Sequence, residues 1–197
     1  MVRRLRRQLP RRAALLSWLP CGGFGLLAML AVQAASAQGA GGEVSTTSSS
    51  YGDWLLRCES RRVETRTVKA CEVSAQATVK GENGASGTAA ILAFGRHPDK
   101  AGWQIAFQLP IIVWLPTGAK LGIGDGPPLL EASFFACRPT LCSAAATVTE
   151  SVFAPLLAAT SDLAITYRAQ TQQAVKVTLS AKGLPDALAA LEKDMKN

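Results

Sequence analysis

The sequence predicts a mainly β domain, an antiparallel β-sandwich or barrel-like sheet with a C-terminal helix, and three observations predict it. Apolar side chains recur at every second position in several stretches, most clearly Trp103-Gln104-Ile105-Ala106-Phe107-Gln108-Leu109, so one face of each stretch is buried and the other is wet. Turn-forming groups fall between these stretches, at Glu82-Asn83-Gly84, His97-Pro98-Asp99 and Gly124-Asp125-Gly126-Pro127-Pro128. Only near the end does the period change: Leu184, Leu188, Leu191 and Met195 follow helical spacing around Pro185, which lays one apolar stripe on the sheet.

The chain begins with Arg3, Arg4, Arg6, Arg7, Arg11 and Arg12, then two apolar runs, Ala13 to Leu19 and Phe24 to Val32, then Ala35-Ser36-Ala37. A basic segment, an apolar segment and an A-x-A site together predict a signal peptide over residues 1–37, cleaved after Ala37, and therefore a periplasmic or secreted protein. Pro20, Cys21-Gly22-Gly23 and Gly25 interrupt the apolar runs, so no stretch reaches the ~20 residues of a spanning helix, and no integral membrane segment is expected in the mature chain. Arg11-Arg12 raises twin-arginine export and Cys21 raises lipid attachment, as lesser variants of the same leader. The six leader arginines carry most of the formal charge of +7; without them 15 basic side chains face 14 acidic ones, a net +1. Nucleic acid is therefore not an expected partner. Arg61, Arg62, Arg66 and Lys69 form the densest basic group and read as a solvated loop or a contact to an anionic surface.

Residues 38–50 (QGAGGEVSTTSSS) are small and polar, with nothing to bury, and read as a flexible tether. A single β-rich domain follows over residues 51–197, long enough for one core. Its strands are expected at Trp54 to Cys58, Cys71 to Val79, Ala89 to Phe94, Trp103 to Leu109, Leu130 to Ala136, Cys142 to Val148, Asp162 to Arg168 and Ala174 to Ser180. A short helical turn is expected at Pro155 to Thr160 and the closing helix from Leu184.

Four cysteines remain after the leader: Cys58, Cys71, Cys137 and Cys142. An even number in an exported chain points to disulfides. Local pairing, Cys58 with Cys71 and Cys137 with Cys142, forms most easily as the chain emerges; on chain entropy the two loops contribute roughly 3 and roughly 2 kcal/mol. A crossed Cys58–Cys142 bond would contribute roughly 4.6 kcal/mol but needs the two regions adjacent in space, and it stays open at this stage. Zinc sites use closer cysteine pairs, and redox dithiols use C-x-x-C at a helix start, neither of which is present in this pattern.

Catalytic candidates are few. His97 is the only histidine and sits in a turn, a poor place to orient a general base. Asp53, Glu59, Glu72, Asp125, Glu131 and Asp162 could by type supply a carboxylate pair for glycoside hydrolysis, although no spacing ties two of them together. Gly122, Gly124 and Gly126 alternate and run into proline, which is no phosphate cradle. No catalytic residue, metal ligand or cofactor is expected. Trp114 stands out instead: it lies in a non-alternating apolar run bracketed by Pro110 and Pro116, which belongs at a sheet margin and reads as core or as a possible partner surface.

The segments YGDWLLRCES, KACEVSAQ, LPTGAKLGIGDG, FFACRPTLCSA and VTLSAKGLPDALAAL, in this order, make the chain resemble the invasion-associated locus B family over nearly all of its mature length. Leu141 stands where that family usually has glycine, and Ser180-Ala181-Lys182-Gly183-Leu184 stands where it often reads serine-leucine-lysine-glycine-phenylalanine. The resemblance implies a periplasmic or secreted bacterial protein with a compact β-rich fold and a proposed link to host-cell entry. It implies no catalytic mechanism. The expected function is a non-enzymatic, disulfide-stabilised binding module whose partner is an envelope or host protein; the alternative is an envelope hydrolase using paired carboxylates.

Overall fold

Among the residues that the computed structural model describes, 44–80, 84–96 and 102–195, the alternating stretches become ten strands. In chain order these are β1 (Val44–Tyr51), β2 (Trp54–Val63), β3 (Arg66–Lys80), β4 (Ser86–Arg96), β5 (Trp103–Pro110), β6 (Ala119–Ile123), β7 (Leu130–Cys137), β8 (Leu141–Val148), β9 (Leu163–Arg168) and β10 (Ala174–Leu179). A 3-10 turn, Leu115–Thr117, precedes β6; α1 (Glu150–Leu157) joins β8 to β9, and α2 (Leu184–Met195) follows β10. The leader with its cleavage site, residues 38–43 and His97 lie outside the described residues.

All pairs are antiparallel, in the order β1-β2-β3-β4-β5-β8-β7-β6-β9-β10. Among the described residues β1 and β10 each have one partner strand, and the sheet is sandwich-like and does not close as a barrel. Strands β5 to β8 make a Greek key, in which residues 111–118 cross the ends of β8 and β7 to start β6 beyond them.

Register places the inward positions in rows. Leu56, Val73, Phe94 and Ile105 align across β2 to β5, and Ala75, Leu92, Phe107 and Ala144 align across β3, β4, β5 and β8; each is 8% exposed or less. Helix α2 buries Leu184, Ala187, Leu188 and Leu191 and packs on β2 and β3; each buried leucine contributes about 2 kcal/mol. Lys69 on β3 donates to the Asp194 carbonyl at 3.0 Å and to its carboxylate at 3.1 Å, placing a cation on the last turn of α2.

An aromatic column fixes the helices to the sheet. Arg96 and Trp103 are register partners, and the guanidinium lies 4.0 Å from the indole centroid. Phe153 of α1 stacks on the indole at 3.8 Å and 9°, and meets Phe94 edge-on at 5.5 Å; Phe94 in turn lies 5.5 Å from Trp54. Glu150 accepts from Arg96 and, at 2.8 Å, from the indole N–H of Trp103, while Glu192 of α2 takes the other arm of Arg96 at 2.9 Å. The bond from Arg96, ahead of that from Trp103, holds the Glu150 carboxyl below its ordinary value of 4.5.

The start of β2 and the chain after β10 meet in a tight crossing. Asp53 N–H donates to the Lys182 carbonyl at 3.1 Å, and the Trp54 indole donates to the Ser180 carbonyl at 2.9 Å. Gly52 (φ 57°) and Gly183 (φ 85°) both adopt left-handed backbone, and a Cβ on Gly183 would stand 2.2 Å from the Tyr51 carbonyl oxygen.

Two disulfides staple neighbouring strands: Cys58 to Cys71 across β2 and β3, and Cys137 to Cys142 across β7 and β8, each joining direct register partners with Cα atoms 4.0 Å apart.

The structure departs from the sequence reading in four places. Residues 44–50 of the expected tether are strand: β1 pairs with β2 along its whole length while its serines and threonines remain exposed, so backbone bonds hold it with no apolar face to betray it. Arg61, Arg62, Arg66 and Lys69 lie on the β2–β3 hairpin, turned at Glu64 (φ 55°), and not in a loop. Strand β6 forms within the glycine-rich run by burying Ala119 and Leu121. Helix α1 starts five residues before Pro155, because Glu150 and Phe153 are drawn to Arg96 and Trp103.

Gly183→Ala is expected to cost about 3 kcal/mol in urea denaturation, from strained backbone plus a clash. Gly84→Ala is the control: φ is 76° but a Cβ meets nothing within 4 Å, and the cost should be about 1 kcal/mol. Equal losses would show that the crossing is not tight. Because the folded Glu150 carboxyl titrates below its ordinary value, its contribution is complete above pH 4.5 and is lost as pH falls through the lowered value. Glu150→Gln should therefore flatten the acid limb of melting temperature against pH; an unchanged limb would remove Glu150 from the account. Replacing Cys137 and Cys142 together by serine should cost about 2 kcal/mol and replacing Cys58 and Cys71 about 3 kcal/mol, and the unreduced, denatured chain from Gln38 onward should titrate no free thiol.

Candidate functional site

The Greek-key crossover presents the most distinctive surface. Pro110, paired with Leu141, ends β5, and the chain then makes strand-like bonds to the turn after β9. Trp114 N–H donates to the Arg168 carbonyl at 2.7 Å, Gln170 N–H to the Ile112 carbonyl at 2.6 Å, and the Gln170 side-chain amide to the Ile111 carbonyl at 3.1 Å. Val113 bridges Ala169 and points into the core, 3% exposed. Its neighbours, Ile112 in the turn before it and Trp114 in extended chain after it, face outward: Ile112 is 53% and Trp114 38% exposed, with Ile111 and Leu115 also in solvent. Pro116 shapes the 3-10 turn, and Gly118 (φ 63°) ends it so close to β7 that a Cβ would lie 2.6 Å from the Ala132 carbonyl oxygen.

On β7 the register shifts between Phe134 and Ala136, and the intervening Phe135 is 70% exposed. A bulge re-aims a side chain in this way. Two residues on, Cys137–Cys142 clasps the hairpin, and Leu109 and Pro110 pair with Cys142 and Leu141. Ile111, Ile112, Trp114, Leu115 and Phe135 thus occupy one end of the sheet, held by backbone bonds and a disulfide.

Beside this end runs a groove of about 350 Å³ over β6, β9 and β10, lined by Thr117, Lys120, Glu131, Thr166 and Arg168 among others. Lys120 and Glu131, register partners, pair at 3.1 Å, and Arg168 donates to the Gln172 carbonyl at 2.7 Å. Burial of the Tyr167 ring, whose residue also lines the groove, pushes its hydroxyl upward.

Of the carboxylates the sequence singled out, Glu59 and Glu72 line one open depression of about 230 Å³ beside Cys71, where Arg57 holds Glu59 at 2.7 Å. Asp125 is paired with Lys176 at 2.7 Å, whose hydrogen bond and charge lower its titration, Glu131 with Lys120, and Asp162 accepts the Ala181 N–H at 3.2 Å. For Asp53 the bond at the crossing is made by its backbone. Among the described residues no charged side chain is buried and no three His, Cys, Asp or Glu side chains gather as a metal set. All four of Cys58, Cys71, Cys137 and Cys142 are in disulfides. No helix among the described residues is long and apolar enough to cross a membrane, which leaves strand-built spans unaddressed.

Reasoning from sequence reached Trp114 but not Ile111, Ile112, Leu115 or Phe135. The signal for Phe135 was present: Phe134-Phe135 breaks the alternation of β7, as a bulge does. For the others it was the run of five apolar residues between Pro110 and Pro116, which no single strand face can bury.

The family model described as "Invasion associated locus B (IalB) protein" matches residues 54–192. No curated protein matches the chain. A crystal structure of invasion associated protein b from Bartonella henselae is similar in fold, with a TM-score of 0.58 and 17% identity, covering 77% of this chain and 99% of that one. A match across most of the domain, from Trp54 at the crossing to Glu192 beneath Arg96, establishes that the chain belongs to the invasion associated locus B family.

Proposed function

We propose that the chain is an exported, non-enzymatic binding module, and that it engages an envelope or host-cell component through the end of the sheet bearing Ile111, Ile112, Trp114, Leu115 and Phe135. The observation that carries this reading is the coexistence of exposure and order. Large apolar side chains face solvent while backbone bonds to residues 168–170 hold the segment that bears them. Exposed apolar side chains grouped and ordered in this way are the mark of an interaction site. Export is supported by the leader pattern of residues 1–37 and by two disulfides, which last in oxidising compartments. The Bartonella henselae protein bears the name invasion associated protein b, and a part in host-cell entry is the extension of this reading that such a name suggests.

A hydrolase working through Glu59 and Glu72 is the weaker reading. The depression is open, one carboxylate is held by Arg57, and general acid catalysis needs a carboxyl shielded from water.

The test is site-directed photo-cross-linking in an envelope fraction. A photoreactive residue at position 112 or 114 should give a discrete adduct, and one at exposed Arg62, on the β2–β3 hairpin, should give none. Adducts of equal yield from all three positions, or none to either protein or lipid from 112 and 114, would overturn the assignment of this surface.

A further inference from the structure

The charge around the apolar end bears on what could cover it. Residues 102–124, 132–149 and 163–185, which supply the crossover and all of the strands around it except Leu130 and Glu131 of β7, contain no aspartate or glutamate. Their charges near this end are cationic: Arg138 on the turn clasped by Cys137–Cys142, Arg168 at the end of β9, and Lys120 on β6. Glu131, a carboxylate that lines the same groove, is held by Lys120 at 3.1 Å. Lys120 and Arg168 line the 350 Å³ groove together with the hydroxyl-bearing Thr117 and Thr166, directly behind the 3-10 turn. An apolar tip with a tryptophan, backed by cations and hydroxyls, matches the layering of a bilayer surface, where acyl chains lie below headgroup phosphates.

Resting on the binding-surface reading above, we propose that this end docks on an anionic lipid bilayer. Ile111, Ile112, Trp114 and Leu115 enter the interface, and Arg138, Arg168 and Lys120 face the headgroup phosphates. Because Val113 anchors the loop in the core, the side chains are already positioned and no ordering step accompanies insertion.

The described core draws only on residues from Tyr51 onward, so the chain from Gln38 is the protein to test. Vesicles of phosphatidylcholine, with and without phosphatidylglycerol, serve as probes in co-sedimentation. Binding is expected to the phosphatidylglycerol vesicles, to weaken as salt is raised, and to shift Trp114 emission to the blue. Trp114→Ala and Ile112→Ser should each weaken binding about tenfold, and Arg168→Gln about fivefold. Should Trp114→Ala lower the melting temperature, Ile112→Ser carries the test, since its side chain projects from the fold. Equal binding to both vesicle types, or binding that survives Ile112→Ser and Trp114→Ala, would overturn the proposal. Absence of vesicle binding combined with a discrete protein adduct from position 114 would replace the lipid by a protein and leave the surface standing; absence of both would remove the surface as well.

Discussion

Where Tyr51-Gly52 passes Lys182-Gly183, two backbones from opposite ends of the domain approach so closely that neither glycine has room for a methyl group. An open ten-stranded sheet has two free edges, and nothing in strand pairing alone tells it where to fold back. This crossing does. It sets the start of β2 beside the end of β10, turns the inward rows toward one another, and directs the chain into α2, whose leucines then fill the gap. Arg96 completes the arrangement by holding α1 and α2 through Glu150 and Glu192 over Trp103. The polar interactions of the fold therefore sit at its margins, and the interior is left to aromatic and aliphatic packing.

The two ends of the sheet have separate work. Trp103, where β5 begins, belongs to the end that carries the helices, the two ion pairs of Arg96 and the aromatic column. Pro110, where it finishes, leads into the apolar crossover; β5 has eight residues, which puts the two ends roughly 25 Å apart. Stability is concentrated at one end and display at the other. The Cys137–Cys142 clasp lies at the display end, beside the bulge that turns Phe135 outward, so it constrains the surface as well as the hairpin.

Period two was enough to read eight of the strands, because each has one buried face. It failed for β1, whose serines and threonines are solvated on both faces, and for β6, where five residues among glycines give only Ala119 and Leu121 as inward positions. Residues 44–50 looked like tether for the same reason: edge strands are held by backbone bonds, which composition does not show. Helix α2 was legible from its own stripe. Helix α1 was displaced from its proline because a tertiary partner, Arg96, decided where it starts. Trp114 was marked by the prolines around it, whereas the outward direction of Ile112 and Trp114 depends on Val113 finding Ala169, a contact made across the fold and invisible to local pattern.

Val113 has a further consequence. A surface loop usually diversifies by growing or shrinking, since its ends are fixed and its middle is free. Here the middle is fixed too, seated in the core with two large side chains on each side of it. Insertion or deletion would pull Val113 from its place or reverse which neighbours face outward, so among descendants of this fold the crossover can change what it recognises only by exchanging side chains on a path of constant length.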